Sequence, residues 1–310
     1  MKTLFYGTPA VAVPFLELLA KSGSVVAAVC QPDKPAGRNL RVEPVPVKEK
    51  ALALGIPVLQ PEKSSGIAAA IKDLAPDLAV AVAYGKILKS DALKVPRLGT
   101  LNVHFSLLPK YRGAAPVQWS LVRGEKKSGV TLFWLDEGMD TGPIFIQRET
   151  EIGPDEDAPA LMKRLTALGV EALGTVLDEI EAGRIVREPQ KGEPTIAPLI
   201  KKEDARVDLV RPGADIHNLV RGFRGWPRAW LQFKGQRVQI LKTRHSDEAG
   251  SGKSGTIVSV DRSGGILLQC GGSSRLWFLE VQPEGKKPVS AADFINGLRM
   301  NAGDVLPIDQ

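Results

Sequence analysis

The fold is decided by 1-MKTLFYGTPAVAVPFLELLAKSGSVVAAVC-30. Residues 2–7, KTLFYG, make a short apolar strand, and Gly7-Thr8-Pro9 turns the chain. Val13, Phe15, Leu16 and Leu19 then fall at helical spacing over residues 10–21. VVAAVC (25–30) is a second strand without alternation, as a strand buried on both faces should be. Strand, turn, helix and strand in one stretch form a βαβ unit. The same texture returns in LAVAVAYG (78–85), TLNVHF (100–105) and GVTLFWLD (129–136), with helical patterns at 63–75 and 156–183. In the last, Leu161, Leu165, Leu168, Ala172, Val176 and Ile180 form one stripe. The alternation predicts an α/β fold over residues 1–183: a Rossmann-like, doubly wound, mostly parallel sheet.

The texture changes at 184-RIVREPQKGEPTIAPLIKK-202. Three prolines, a glycine and five basic residues read as a linker. Beyond it, WLQFKGQRVQILKT (230–243) is a hairpin turning at Lys234-Gly235, and residues 255–281 give further strands with Gly/Ser turns. Helices are expected near 213–224 and 290–300. Residues 203–310 are therefore expected to form a small antiparallel β-barrel, OB-like in size.

Composition bounds the function. The 310 residues are 43% hydrophobic and 25% charged, ordinary globular values. No run approaches the ~18 apolar residues of a membrane span. The N-terminus shows no signal-peptide pattern, so a cytoplasmic protein is expected. Cys30 and Cys270 sit far apart in apolar runs and read as reduced, buried thiols. With three histidines and no paired ligand spacing, no metal site is expected. Residues 1–183 carry 21 basic and 21 acidic side chains, whereas 184–310 carry 20 and 14, so the whole net charge of +6 lies in the second part. That placement suits a polyanionic partner, or simply a well-solvated basic surface. The first βα turn, G-T-P-A-V-A, lacks the glycine fingerprint of dinucleotide binding, so neither nicotinamide nor flavin is expected.

Chemistry concentrates in 101-LNVHFSLLPKYRGAAPVQWSL-121. Asn102 and His104 are two apart on a strand and share one face, opposite Leu101, Val103 and Phe105. A strand histidine can be a satisfied core residue. At the carboxyl end of a central strand, however, it also lies where open α/β sheets bind ligands. The turn 136-DEGMDTG-142 offers Asp136, Glu137 and Asp140, either as solvated turn acids or as partners for His104. An amide N–H and an imidazolium are oxyanion donors, and a carboxylate supports the imidazolium or takes a proton. Asn, His and Asp without a Ser or Cys nucleophile therefore suit direct attack of an external amine on a carbonyl.

These residues carry a resemblance. LNVHFSLLPKYRGAAP together with DEGMDTG resembles the folate-dependent formyltransferases, whose members share Asn-x-His, SLLP and a downstream Asp-x-Gly. QPDKPAGR (31–38), FRGWPRAW (223–230) and LEVQPEGKKPVSAADFINGLR (279–299) resemble the members of that family that act on methionyl-initiator tRNA. The resemblance covers essentially the whole chain. It implies 10-formyltetrahydrofolate as co-substrate, initiator methionyl-tRNA as acceptor, and Asn102, His104 and Asp140 as catalytic. It implies a folate site at Ser106, Leu107, Leu108 and Pro109, beside Ile87 and Leu88 from YGKIL (84–88). Contacts to tRNA are implied for Arg38, with Lys34 and Arg41 in the same loop and Lys201 and Lys202 in the linker. A monomer is expected. The chain departs from many relatives at Phe105, where they have a small residue. Segment 32-PDKPAGRNLRVEPVPVKEK-50, with four prolines, is expected to be a long irregular loop. Readings left open are formyl transfer to a non-tRNA acceptor or to water, and a tRNA-binding module with a decayed site.

Overall fold

A computed structural model of the chain describes residues 1–36, 41–261 and 263–308. They cluster into two compact units: Met1–Gly113, Ser128–Thr150 and Met162–Ile196 in one, and Ala114–Lys127, Glu151–Leu161 and Ala197–Gln310 in the other.

The first unit is built on a seven-stranded sheet. From edge to edge the strands are Ile144–Glu151, Lys127–Trp134, Thr100–His104, Leu78–Val82, Lys2–Gly7, Ser24–Val29 and Val58–Leu59. Lys2–Gly7 pairs parallel with both neighbours, and Thr100–His104 pairs parallel with Leu78–Val82 but antiparallel with Lys127–Trp134. The chain thus winds outward on one side, then crosses to Leu78–Val82 and builds the other. The carboxyl ends of Lys2–Gly7, Leu78–Val82 and Thr100–His104 share one end of the sheet, where doubly wound sheets hold ligands. All of Leu78–Val82 is buried, which is why it reads as an unbroken apolar run.

Phe105 belongs to the packing of this unit. It is 6% exposed, and its ring meets that of Phe15, from helix Val13–Ser22, edge-on at 6.4 Å between centroids. Helix Ala158–Glu181 comes close at Gly169, where a Cβ would stand 3.0 Å from the Phe15 ring.

Three local expectations are corrected. The described part of segment 32–50 is not irregular: Lys34–Ala36 and Arg41–Glu43 pair as an antiparallel ribbon, and Pro46–Ala53 is a helix. Pro46 opens that helix, where its missing N–H costs nothing, and Pro35 lies in a two-stranded ribbon with an open edge. Asp33 ties both ends of the ribbon together. Its carboxylate accepts from Val45 N at 3.3 Å and Gln60 Nε2 at 2.9 Å and pairs with Lys48. The helix expected at 63–75 is one α-turn, Ile67–Ile71, between 3₁₀ turns. Finally, most of the segment read as a linker is strapped onto the first unit. Trp134 Nε1 donates to Val186 O at 2.8 Å, Ile144 and Glu188 exchange backbone bonds, and the Arg187 guanidinium stacks on Trp134 at 4.0 Å.

In the second unit, Trp230–Phe233, Gln236–Ala249, Ser274–Pro283, Ile266–Gln269 and Ile257–Val260 form an antiparallel sheet in that order, with Val289–Ser290 added on Ser274–Pro283. Residues near the C-terminus bridge to both margins, Ile308 to Phe233 and Val305 to Thr256, which curls the sheet around its own core as a barrel requires. Lys234 and Gly235 turn the first hairpin at φ 49° and 75°, as a two-residue turn demands. Helix Pro116–Val122 packs on helix Gly213–Gly222, with Trp119 edge-on to Phe223. Trp230 is core, whereas Trp226 is 56% exposed. Among the described residues no helix is long and apolar enough to cross a membrane.

Candidate active site

His104 ends the strand Thr100–His104, directly opposite Thr131 of the neighbouring strand. Its imidazole is 6% exposed and stands edge-on to Phe133. Nε2 donates to the Tyr111 carbonyl at 2.8 Å. A carbonyl only accepts, so this contact places a proton on Nε2 and leaves Nδ1 to face Asp140. Nδ1 lies 3.7 Å from Asp140 Oδ2, too far for a hydrogen bond and close enough for strong charge coupling. Burial pushes the His104 pKa below its ordinary value; Asp140 and the Tyr111 carbonyl oppose that shift without cancelling it. The resting imidazole is therefore neutral near pH 7, with a lone pair aimed toward a carboxylate.

The structure separates the three acids of DEGMDTG. Asp136 is an exposed turn-former: its Oδ1 accepts from Gly138 N at 3.0 Å and Thr141 Oγ1 at 2.7 Å. Glu137 is exposed. Asp140 alone turns inward, and its Oδ2 accepts the Gly113 N–H at 2.7 Å. It does so at φ 55°, two residues before a glycine that nothing larger could replace: a Cβ on Gly142 would lie 1.8 Å from Trp134 O. The backbone of this loop is gripped by Gln190, whose Nε2 donates to Asp140 O at 2.8 Å and Gly142 O at 2.9 Å. Asn102 is partly exposed on the His104 face, and its amide has no hydrogen-bond partner among the described residues.

The SLLP turn is fastened from below. Thr131 Oγ1 donates to Ser106 O at 2.6 Å and accepts from Leu108 N at 3.1 Å, while Gln147 Nε2 donates to Leu108 O at 2.7 Å. Ser106, Leu108 and Pro109 are buried by this arrangement, and Leu107 is left partly exposed. Of the apolar pair after Leu78–Val82, Ile87 is 82% exposed and Leu88 is 8% exposed. Lys34, Lys201 and Lys202 are exposed. Arg41 begins the second ribbon strand, and Arg38 lies outside the described residues.

Thr131, Gln147, Gln190 and the Gly113 N–H have no counterpart in the sequence reading. Only Thr131 carried a signal, as a polar residue inside the apolar run GVTLFW. The chemistry available is proton transfer and oxyanion stabilisation. Burial pushes the Cys30 thiol up to about 11 and the Cys270 thiol up to about 12, so neither is a ready nucleophile near pH 7. No group of three or more His, Cys, Asp or Glu suited to a metal ion occurs among the described residues.

Comparison with known proteins agrees with this arrangement at the level of the whole chain. The family model described as formyl transferase matches residues 1–177, and that described as formyl transferase, C-terminal domain, matches residues 199–299. Proteins named methionyl-tRNA formyltransferase from Elusimicrobium minutum and Sorangium cellulosum are each 44% identical to it, over 99% of both chains. Solved structures share the fold at lower identity. HypX from Aquifex aeolicus with tetrahydrofolic acid has TM-score 0.64 and 18% identity, covering 98% of this chain and 48% of that one. The sugar 3N-formyl transferase WlaRD, in the presence of dTDP and 5-N-formyl-THF, has TM-score 0.69 and 17% identity, covering 93% and 99%. Matched in both its parts and along its full length, the chain belongs to the formyl transferase family.

Proposed function

We propose that the protein transfers the formyl group of 10-formyltetrahydrofolate to the α-amine of methionyl-initiator tRNA. The full-length relatives named for that reaction support the reading, as do the folate molecules named with the structural neighbours. The observation that carries it is the grouping of Asn102, His104 and Asp140 at the ligand-binding end of the sheet. A neutral buried base, a carboxylate and an amide without a partner are what direct amine attack needs.

In this mechanism the free amine attacks the formyl carbon and a new C–N bond forms. The carbonyl oxygen becomes an oxyanion and takes an N–H from Asn102; one such donor is worth about 2.7–4 kcal/mol. His104 enters here as a neutral base rather than as the charged oxyanion donor expected from the sequence: the attacking nitrogen loses its surplus proton to Nδ1, and the imidazolium is stabilised by Asp140. The same proton then passes to N10 as the C–N10 bond breaks, and tetrahydrofolate leaves. Ile87, Leu88 and the segment Ser106–Pro109 form the folate side of the site, with Ile87 and Leu107 presenting apolar surface.

Residues 1–183 carry the chemistry on this reading, and 203–310, with Lys201 and Lys202, hold tRNA phosphates. Lys34 and Arg41, from the ribbon, and Arg38 contact the acceptor end on this reading. The protein works as a cytoplasmic monomer. Incubation with 10-formyltetrahydrofolate and methionylated initiator tRNA should yield formylmethionyl-tRNA; a preparation that binds both but makes none would overturn the proposal.

A further inference from the structure

We propose that Gln190 is a positioning residue for Asp140. The inference rests on the role given to Asp140 above. Gln190 comes from the segment that composition marks as a linker, 50 residues along the chain from Asp140. Its amide is used completely. Nε2 donates both protons, one to Asp140 O at 2.8 Å and one to Gly142 O at 2.9 Å. Oε1 accepts from Arg112 Nη2 at 2.7 Å and Nε at 3.2 Å. The next residue, Gly113, donates its N–H to the Asp140 carboxylate at 2.7 Å.

These contacts close a ring. Gln190 holds the Asp140 backbone with one end and Arg112 with the other, and the residue after Arg112 holds the Asp140 side chain. Main chain and carboxylate of Asp140 are thereby fixed from two directions. The need is physical. Asp140 sits at φ 55°, a conformation that costs free energy for a residue with a side chain and persists only when its surroundings impose it. The 3.7 Å spacing to His104 is not itself a hydrogen bond and cannot impose it. Without Gln190, two carbonyls of the loop lose their donor, and the carboxylate loses the frame that sets its distance from Nδ1. Misplacement by about 1 Å can cost on the order of a hundredfold in rate.

The test combines two variants and two readouts. Gln190→Ala removes both ends of the clamp. Gln190→Glu keeps an acceptor for Arg112 but loses the donors to Asp140 O and Gly142 O, and it serves if the alanine variant does not fold. Either variant should lower kcat about tenfold to a hundredfold with KM for the tRNA little changed, and should cost almost nothing further in an Asp140→Asn background. Equal losses in the two backgrounds would overturn the inference, because Gln190 would then act independently of Asp140. The second readout needs no substrate. A carboxylate at 3.7 Å supports the charged imidazole, so moving it away should lower the His104 titration midpoint seen by NMR. An unchanged His104 midpoint in a folded Gln190 variant also refutes the positioning role. Absence of any formyl transfer in the unaltered protein would instead defeat the proposed function, and the NMR titration would still decide the role of Gln190.

Discussion

Asp140 Oδ2 accepts the Gly113 N–H at 2.7 Å and stands 3.7 Å from His104 Nδ1. The carboxylate is thus anchored by backbone and leaves the imidazole nitrogen unbonded. His104 is anchored separately, through Nε2 and the Tyr111 carbonyl. Two fixed groups with a gap between them can receive a proton on Nδ1 without either having to move, which keeps the reorganisation cost of the transfer low.

Asp140→Asn should therefore be far more damaging to rate than to structure. The amide oxygen can still accept from Gly113, but the charge that stabilises the imidazolium is gone. A fall in kcat of about 10²–10⁴-fold is expected, the usual span for an acid–base step. Single-turnover formylation beside a thermal melt checks it: a large rate loss with a small change in melting temperature is the expected pair of results.

The pH dependence follows from the sign of the His104 shift. Burial lowers its pKa from the ordinary value of about 6.5, and the reaction uses the neutral form. Rate should rise with pH through a midpoint below about 6.5 and then level off. Asp140→Asn should move that midpoint lower still, because the opposing charge is removed. Stability has the same sense. His104 and His217 both have folded-state pKa values below their unfolded ones, so the unfolded chain binds more protons as the medium acidifies. Their contribution is present above about pH 6.5 and is lost as pH falls through the folded values. Melting temperatures across pH 5–8 test this, and His217→Gln should flatten part of the acid slope.

Much of this was legible in the sequence because the physics is local. Period-two alternation puts Asn102 and His104 on one face, and unbroken apolar runs mark strands covered on both sides. What was not legible depends on distant partners. Three acids within five positions look alike until Gly142 and Gln190 turn one of them inward. The segment 184–196 has linker composition, yet Trp134, Ile144 and Leu98 bind it through hydrogen bonds that no local pattern announces. The prolines of 32–50 argued against regular structure because their positions, one opening a helix and one in a ribbon, are set by the fold.

Thr131→Val tests the fastening of the SLLP turn. The change is nearly isosteric, yet it strips the donor from Ser106 O and the acceptor from Leu108 N and Gln147 Nε2 at a fully buried site. Each buried group left unpaired costs about 1–3 kcal/mol. A lower melting temperature and a raised KM for the folate are expected, with KM for the tRNA nearly constant.

Lys201 and Lys202 are exposed and lie in the stretch 184–310, which carries the chain's excess of positive charge. If they hold phosphates, replacing both by alanine should weaken tRNA binding at low salt and flatten its salt dependence. Each lost contact to a single-stranded phosphate removes about 0.7 from the slope of log K against log salt, and about 0.9 where the contact is to a duplex. Binding isotherms over a range of ionic strength measure it. An unchanged slope would place the tRNA elsewhere.

Phe105 follows His104 directly, and its surroundings give it a packing role. The strand alternation that turns His104 toward the site turns Phe105 away from it, against Phe15 and beside the close approach of Gly169 to the same ring. Phe105→Ala should cost about 3–5 kcal/mol of stability, the range for emptying a buried phenyl site. The surviving folded enzyme should keep its acid limb, because none of the groups that set the His104 pKa changes. Denaturant unfolding and a pH–rate profile on the same variant separate these effects. A shifted acid limb would mean that the ring transmits strain through Val103 to His104, and Phe105 would then belong to the chemistry as well as to the core.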